Sequence, residues 1–157
     1  MAAAAGATAG ASAAGLPACL GGGGRIEAVF IDFDDTLSPS TWISKQAVSW
    51  TVSNNEVVCD CPDDVRAEMA LVDEKIVDLV RRIMASLQVV IVTNSEEGWV
   101  SVLCKHLMPQ LQELINANGE EIKVVSARQR YGETHPQLPP AWKVKARPGL
   151  RPVFLSL

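Results

Sequence analysis

The order of predicted elements in this 157-residue chain favours an α/β fold built on a parallel sheet. Three apolar runs rich in β-branched residues, "IEAVFIDF", "QVVIVTNS" and "EIKVVSA", predict strands. Helical patterns separate them. Strand, helix, strand, helix, strand is the order that builds parallel βαβ units with helices packed on the sheet. We therefore expect one domain with a three-layer, Rossmann-like arrangement.

Composition limits the classes of function. With 48% hydrophobic and 20% charged residues, the chain suits a globular core. Its formal net charge of −4 argues against a nucleic-acid binder, which would normally carry a basic face. No apolar run approaches the ~20 residues needed to span a bilayer. We expect neither nucleic acid nor membrane as a partner; the sequence leaves the oligomeric state open.

The two ends differ in composition from the middle of the chain. Residues 1–24 are rich in Ala and Gly, which bury too little surface to offset the entropy of ordering, so they predict a disordered tail. Residues 25–145 form the expected domain, and residues 146–157 an irregular tail. The four cysteines match no zinc or disulfide pattern, which predicts reduced thiols and a cytoplasmic protein, with an organelle address as the alternative.

The first strand is expected to end near Asp32. After it, residues 38–64 predict a loop-rich insertion in which Trp42, Ile43 and Trp50 offer a short helix. The two tryptophans either cover a substrate or simply pack. From Val65 to Leu87, apolar residues at three- and four-residue spacing predict one long helix, followed by a buried strand at Val89 to Val92.

The next helical region carries its own start and stop signals. Asn94 followed by Glu97 resembles an N-cap with its return partner, and Pro109 is expected to break the helix in two. His106 falls on its apolar stripe, where a core-edge histidine is expected. Asn118-Gly119 predicts a left-handed C-terminal cap before the third strand.

Polar side chains come together at the carboxyl ends of the predicted strands, where open α/β sheets bind ligands. Asp32, Thr93 and Ser126 would all lie at this edge. Asp34 follows Asp32 at a spacing that lets both carboxylates converge, while Asp35 need not join them. Two converging acids suit either a metal ion or a proton-shuttling pair. The structural alternative is a turn capped by acids without chemistry.

The stretch "IDFDDTL" resembles the first motif of the haloacid-dehalogenase-like (HAD) phosphohydrolases, Asp-x-Asp-x-Thr after an apolar strand. "VVIVTNS" is similar to the second motif, a strand ending in Thr or Ser, which falls on Thr93. The third motif is a lysine after a further strand, and "AWKVKA" offers Lys143, with Lys145 as the alternative. The resemblance covers about residues 26–145. It implies a HAD-like fold and a Mg²⁺-dependent phosphatase.

The resemblance implies a role for each motif residue. Asp32 would attack the phosphoryl group and form an aspartyl-phosphate. Asp34 would protonate the leaving oxygen and later take a proton from the hydrolytic water. Thr93 would donate a hydrogen bond to the phosphoryl, and Lys143 would neutralise its charge. Mg²⁺ would bridge the phosphoryl, the Asp32 carboxylate and the Asp34 backbone carbonyl.

Further residues near the motifs are expected to contact the substrate, a phosphorylated small molecule or a phosphoprotein. Thr36 closes the first motif and Asn94 follows the second. Arg128 follows the third strand, where it either faces an anionic substrate or remains a surface charge.

The fourth HAD motif, one or two acids beyond the lysine, has no counterpart, because the last acidic residue is Glu133. The sequence thus predicts a C-terminally incomplete domain, either a truncated or spliced product of low activity or a mispredicted end. Two other functions stay open: a catalytically weak domain that binds phosphorylated ligands, and a receiver-like phospho-acceptor. The strand ends argue against the receiver, because neither of the later strands ends in Asp.

Overall fold

The computed structural model describes residues 28–54 and 56–133, which alternate between strands and helices. No helix within these ranges is long and apolar enough to cross a membrane. The elements follow in chain order: β1 Ala28–Asp32, α1 Ser40–Ile43, β2 Ser49–Ser53, β3 Glu56–Asp60, α2 Asp63–Met84, β4 Gln88–Thr93, α3 Trp99–Leu107, α4 Pro109–Ala117, β5 Ile122–Ser126 and α5 Ala127–Tyr131.

The central sheet has three parallel strands in the order β1-β4-β5. Its register pairs Asp32 with Val92 and Thr93 with Ser126, so the carboxyl ends of the three strands finish at one edge. This confirms the predicted α/β fold with a parallel sheet. The expected meeting of Asp32, Thr93 and Ser126 at that edge is confirmed as well.

The main core lies between one face of the sheet and the helices α2, α3 and α4. Alternate residues of β1 and β4, among them Val29, Ile31 and Ile91, are buried there. A smaller cluster around Phe30 and Val90 occupies the other face, where α5 contributes Ala127. Along β1 and β4 both faces are thus buried, as expected of parallel strands formed by continuous apolar runs, whereas Lys123 and Val124 of β5 are exposed.

Helix α2 is confirmed. It starts at Asp63, two residues before the predicted start, and ends at Met84, three residues before the predicted end. Acidic residues stand in its first turn and arginines in its last, which the helix dipole favours. Its buried side chains are Val65, Met69, Asp73, Val77 and Val80. The most buried line therefore includes a carboxylate in its middle, a position that an apolar pattern does not reveal.

The predicted break at Pro109 is confirmed, because α3 ends at Leu107 and α4 begins at the proline. Both expected caps are wrong. Gly98, in the left-handed region at φ 81°, precedes α3 in place of Asn94. Asn118 has φ −126°, and its side chain donates to the Leu114 carbonyl at 2.8 Å, which satisfies the helix end without a left-handed residue.

The insertion is more regular than the sequence indicated. Its helix stops at Ile43, and the chain then forms an antiparallel hairpin, β2 with β3, in which Trp50 pairs with Cys59. The prediction of a helix reaching Trp50 was wrong. Alternating residues in "SWTVS" and "EVVCD" and the Asn54 turn, with φ 51°, determine the hairpin.

Several predictions fall outside the described residues and stay predictions. These are the tails at 1–24 and 146–157, both candidate lysines, Lys143 and Lys145, and the fourth-motif region.

Candidate functional site at the carboxyl edge of the sheet

The loop after β1 is built around the carbonyl of Phe33, a residue with no exposed surface. This carbonyl accepts backbone N–H groups from Thr36, Leu37 and Ser38 at 3.4, 3.0 and 2.9 Å. The Phe33 N–H in turn donates to Val92 of β4 at 2.9 Å, which extends the strand pairing past Asp32. The acidic loop is therefore a fixed extension of the sheet.

Asp34 joins this loop to the neighbouring strand. Its Oδ2 accepts a hydrogen bond of 2.7 Å from the Thr93 hydroxyl, 59 residues further along the chain. Its Oδ1 accepts a longer bond, 3.3 Å, from the Ser40 hydroxyl at the start of α1. The carboxylate is half-buried and held from two elements, which fixes its orientation at the edge of the sheet.

The hydroxyl of Thr93 is fully engaged. Its oxygen accepts the Ser95 N–H at 3.0 Å, so its single proton goes to Asp34. Thr93 is also buried, with 1% of its surface exposed. With Asp34 ionised, this hydroxyl positions the carboxylate, and its expected donation to a phosphoryl group stays a prediction.

Asp35, the third acid of the motif, points elsewhere. Its two carboxylate oxygens accept from the Thr41 N–H and hydroxyl, both at 2.6 Å, and its backbone lies in the left-handed region at φ 57°. It anchors α1 to the loop. The sequence prediction that Asp35 need not join the other two acids agrees with this geometry.

Asp32 ends β1, half-buried, one strand away from Thr93. No group of three or more His, Cys, Asp or Glu side chains among residues 28–54 and 56–133 is placed to hold a metal. The oxygen donors of Asp32 and Asp34 are nevertheless of the kind that Mg²⁺ prefers, and this ion keeps several of its waters when it binds few protein ligands. The pair therefore fits a hydrated Mg²⁺ in its donor chemistry.

The predicted substrate contacts lie in three different settings. Thr36 is half-buried in the acidic loop. Asn94 has a buried side-chain oxygen that accepts no hydrogen bond within the described part of the chain. Arg128 pairs with Glu96 at 3.5 Å on the surface, with both side chains more than half exposed. A pair so exposed contributes little stability, and Arg128 lies on α5 beside the loop after β4.

A hydrogen bond between Ser126 and Ser95, two serines to which the sequence assigned no role, holds that loop. Ser126 donates from its hydroxyl to the Ser95 carbonyl at 2.7 Å and accepts the Gln129 N–H at 3.1 Å as the N-cap of α5. The Gln129 side chain also donates to Glu97. The signal available in the sequence was the Ser-Ala-Arg run after the third strand, which is typical of a helix start.

The hairpin places Trp50 against α3. Its ring meets Trp99 and His106 edge-on, at centroid distances of 5.2 and 5.8 Å. His106 donates from Nε2 to the Val57 carbonyl at 2.9 Å, since a carbonyl only accepts. Trp50 thus packs the hairpin onto α3, which is one of the two roles expected for it; the other was to cover a substrate. His106 is half-buried at the edge of the core.

The thiols of the described residues offer no activated nucleophile. Burial raises the pKa of Cys59 and Cys61; Cys61 adds to the shift at Cys59, and Arg66 opposes the shift at both. Burial, with Asp73 nearby, raises the pKa of Cys104 to about 12. Phosphatases that use cysteine need a thiolate, so the structure directs attention to the carboxylates.

No family model, curated protein or solved structure matches this chain. The function must therefore be argued from the residues at the sheet edge.

Proposed function

We propose that the protein is a HAD-like, Mg²⁺-dependent phosphatase that works through an aspartyl-phosphate on Asp32. The observation that carries this proposal is the 2.7 Å hydrogen bond between Thr93 and Asp34. It joins the residues that resemble the first and second HAD motifs, which are distant in sequence, at the edge where parallel sheets bind ligands. A three-layer, Rossmann-like core of the HAD type is part of the proposal.

Asp32 attacks the phosphorus in line, and the alcohol oxygen of the substrate leaves with a proton from Asp34. Water, losing its proton to Asp34, then attacks the aspartyl-phosphate and releases inorganic phosphate. This division of roles between Asp32 and Asp34 is supported by the fixed position of the Asp34 side chain, which Thr93 and Ser40 hold. When bound, Mg²⁺ would neutralise charge on the phosphoryl oxygens, and the Asp32 carboxylate and the Asp34 backbone carbonyl would hold it, which leaves the Asp34 side chain available for its acid and base work.

Thr93 holds the carboxylate that does the acid and base work. Its hydroxyl donates to Asp34 Oδ2 at 2.7 Å and accepts the Ser95 N–H. The other carboxylate oxygen, Oδ1, accepts only the longer 3.3 Å bond from Ser40 and is the oxygen that carries the proton for the leaving group. Lys143 is the predicted cationic partner of the phosphoryl group.

A second candidate is a catalytically weak HAD-like domain that binds a phosphorylated ligand or a phosphoprotein. The buried, fully engaged hydroxyl of Thr93 favours it, because no donor of this residue faces outward while Asp34 is ionised. Both candidates use the same edge of the sheet, so an experiment must separate turnover from binding.

The test is hydrolysis of 4-nitrophenyl phosphate by the purified chain, with Mg²⁺ and with EDTA, beside Asp32→Asn. The matched control is Asp78→Asn, the same change at an exposed position of α2. We expect hydrolysis that requires both Mg²⁺ and Asp32 and survives in the control. Equal activity of Asp32→Asn and wild type would show that Asp32 is not the nucleophile. A folded protein that binds the ester without hydrolysing it would support the second candidate.

A further inference from the structure

A groove of about 670 Å³ lies beside the acidic site, between the loop after β4, helices α3 to α5 and strand β5. Its volume falls in the range of about 300–1,000 Å³ that small-molecule sites occupy. Hydrogen bonds of Ser126 and Gln129 tie the loop to β5 and α5, so this wall of the groove belongs to the fixed part of the structure.

Apolar side chains from β5, α3 and α4 line the groove together with the polar Ser101, Gln112 and Ser126. Val124 is 41% exposed, although it lies on the same face of β5 as Ile122, which is buried in the main core. Strand side chains alternate between faces, so Val124 is a core-facing residue left uncovered. The half-buried Ile115 adds apolar surface from α4, and Val100 of α3 lies buried behind it in the lining. An organic group placed here would bury this surface.

The groove borders the candidate active site. Thr93 is part of its lining and is also the residue that donates to Asp34. Ser126, another lining residue, holds the loop that carries Ser95, the second partner of the Thr93 hydroxyl. One buried side chain, that of Thr93, thus separates Asp34 from the groove, which lies next to the remaining part of a molecule whose phosphoryl group is at Asp32 and Asp34.

The charged and apolar side chains of the lining restrict that remaining part. Glu96 and Glu97 contribute two carboxylates to the lining, but Arg128 pairs with the first and the Gln129 side chain donates to the second. Both carboxylates therefore already have partners. A strongly polar ligand would have to desolvate against valine and isoleucine. The lining suits an uncharged, mainly apolar group.

We propose that this groove binds an uncharged, mainly apolar organic group, which in the phosphatase reaction is the leaving alcohol of the phosphomonoester. The second half of this statement rests on the proposed function. It makes aromatic and other apolar phosphate esters the substrate class and disfavours sugar phosphates.

The test of the groove uses 1-naphthol, which has no phosphate, with methyl NMR of the full chain. We expect saturable shifts of the Val100, Ile115 and Val124 methyl signals. Val124→Glu should weaken binding at least about tenfold, because it places a carboxylate on the apolar lining. Ser101→Trp, which fills the groove from an exposed helical position, should do the same. Leu71→Glu, at a residue 64% exposed on α2, is the matched control and should bind as wild type does.

Absence of shifts at these methyl groups would overturn the inference, and so would equal binding by Val124→Glu and Leu71→Glu. Hydrolysis is measured separately, with 1-naphthyl phosphate and glycerol 2-phosphate. If both proposals hold, Val124→Glu raises KM for the naphthyl ester by a larger factor than KM for the glycerol ester, while Leu71→Glu changes neither. If 1-naphthol binds but neither ester is hydrolysed, the groove is supported as a ligand site and the phosphatase proposal fails.

Discussion

Two aspartates in this protein each accept hydrogen bonds from a distant part of the chain, yet they lie in different surroundings. Asp73, in the middle of α2, has no exposed surface, and its oxygens accept the Gln110 and Leu111 N–H groups at 2.8 and 2.9 Å. Asp34 is half-buried at the sheet edge and accepts from the hydroxyls of Thr93 and Ser40. The first is enclosed by helices, and the second is within reach of a ligand.

The donors explain the difference. Asp73 caps the first turn of α4, which begins at Pro109. The first N–H groups of a helix have no partner inside it, and the carboxylate supplies one. Backbone donors are fixed, so this carboxylate holds α4 against α2. Hydroxyl donors can rotate and also accept, so the bonds around Asp34 can reverse when a proton moves. A buried carboxylate with backbone partners indicates structure, and one with hydroxyl partners at a strand end indicates chemistry.

The largest expected effect is on stability, from Asp73→Ala. The change leaves two buried N–H groups unsatisfied and should lower the free energy of unfolding by about 3 kcal/mol. Urea unfolding followed by circular dichroism measures it. The control is Glu74→Ala, at the next position, whose side chain is 54% exposed and should change stability little. Equal losses in the two variants would show that Asp73 does not hold α4.

The same contrast shows what the sequence could reveal. Apolar periodicity predicted β1, α2, β4 and β5, because burial of one face leaves a regular pattern. It concealed Asp73, which occupies a core position of α2 that only the approach of α4 makes suitable. The hairpin was missed, although polar and apolar residues alternate in β2, because Trp42, Ile43 and Trp50 were assigned to one helix. Gly98 was missed because a left-handed helix start depends on the path of the loop before it.

At the site, the motif residues were predicted and their partners were not. Asp34 and Thr93 stand at strand ends that the pattern identifies. Ser95 and Ser126 contribute through bonds between loops, which depend on three-dimensional position. Short polar side chains in loops carry no periodic signal, so their roles emerged only from the structure.

A smaller effect on stability, with a larger one on chemistry, is expected from Thr93→Val. The substitution keeps the shape of the buried side chain but leaves Asp34 without its 2.7 Å donor and Ser95 without an acceptor. We expect a loss of about 1 kcal/mol in stability and of about 100-fold in kcat for an aryl phosphate. Thr93→Ser should restore most of both.

Thr51→Val, the same change on the exposed strand β2, serves as its control. If Thr93→Val loses stability without losing turnover, the Thr93 hydroxyl has a structural role like that of the backbone donors around Asp73, and the contrast between the two aspartates fails.

The smallest effect expected is the pH dependence that Asp73 contributes. Burial raises the pKa of Asp73 above its ordinary value of 3.8, and the repulsion from Glu113 adds to this, while the two backbone N–H groups oppose it. Protonated Asp73 is therefore favoured more in the folded than in the unfolded protein. Its contribution to stability is complete below pH 3.8 and is lost as the pH rises through the raised pKa.

Asp73→Asn removes this titration, so the difference in unfolding free energy between wild type and variant should fall as the pH rises from about 3.5 to 7. Urea unfolding across this range measures the difference, and NMR of the Asp73 carboxyl carbon gives the pKa directly. A difference that rises with pH would mean that the fold favours the ionised form, because the two N–H groups outweigh burial. Asp73 would then be an anionic cap whose fixed donors more than offset its loss of water.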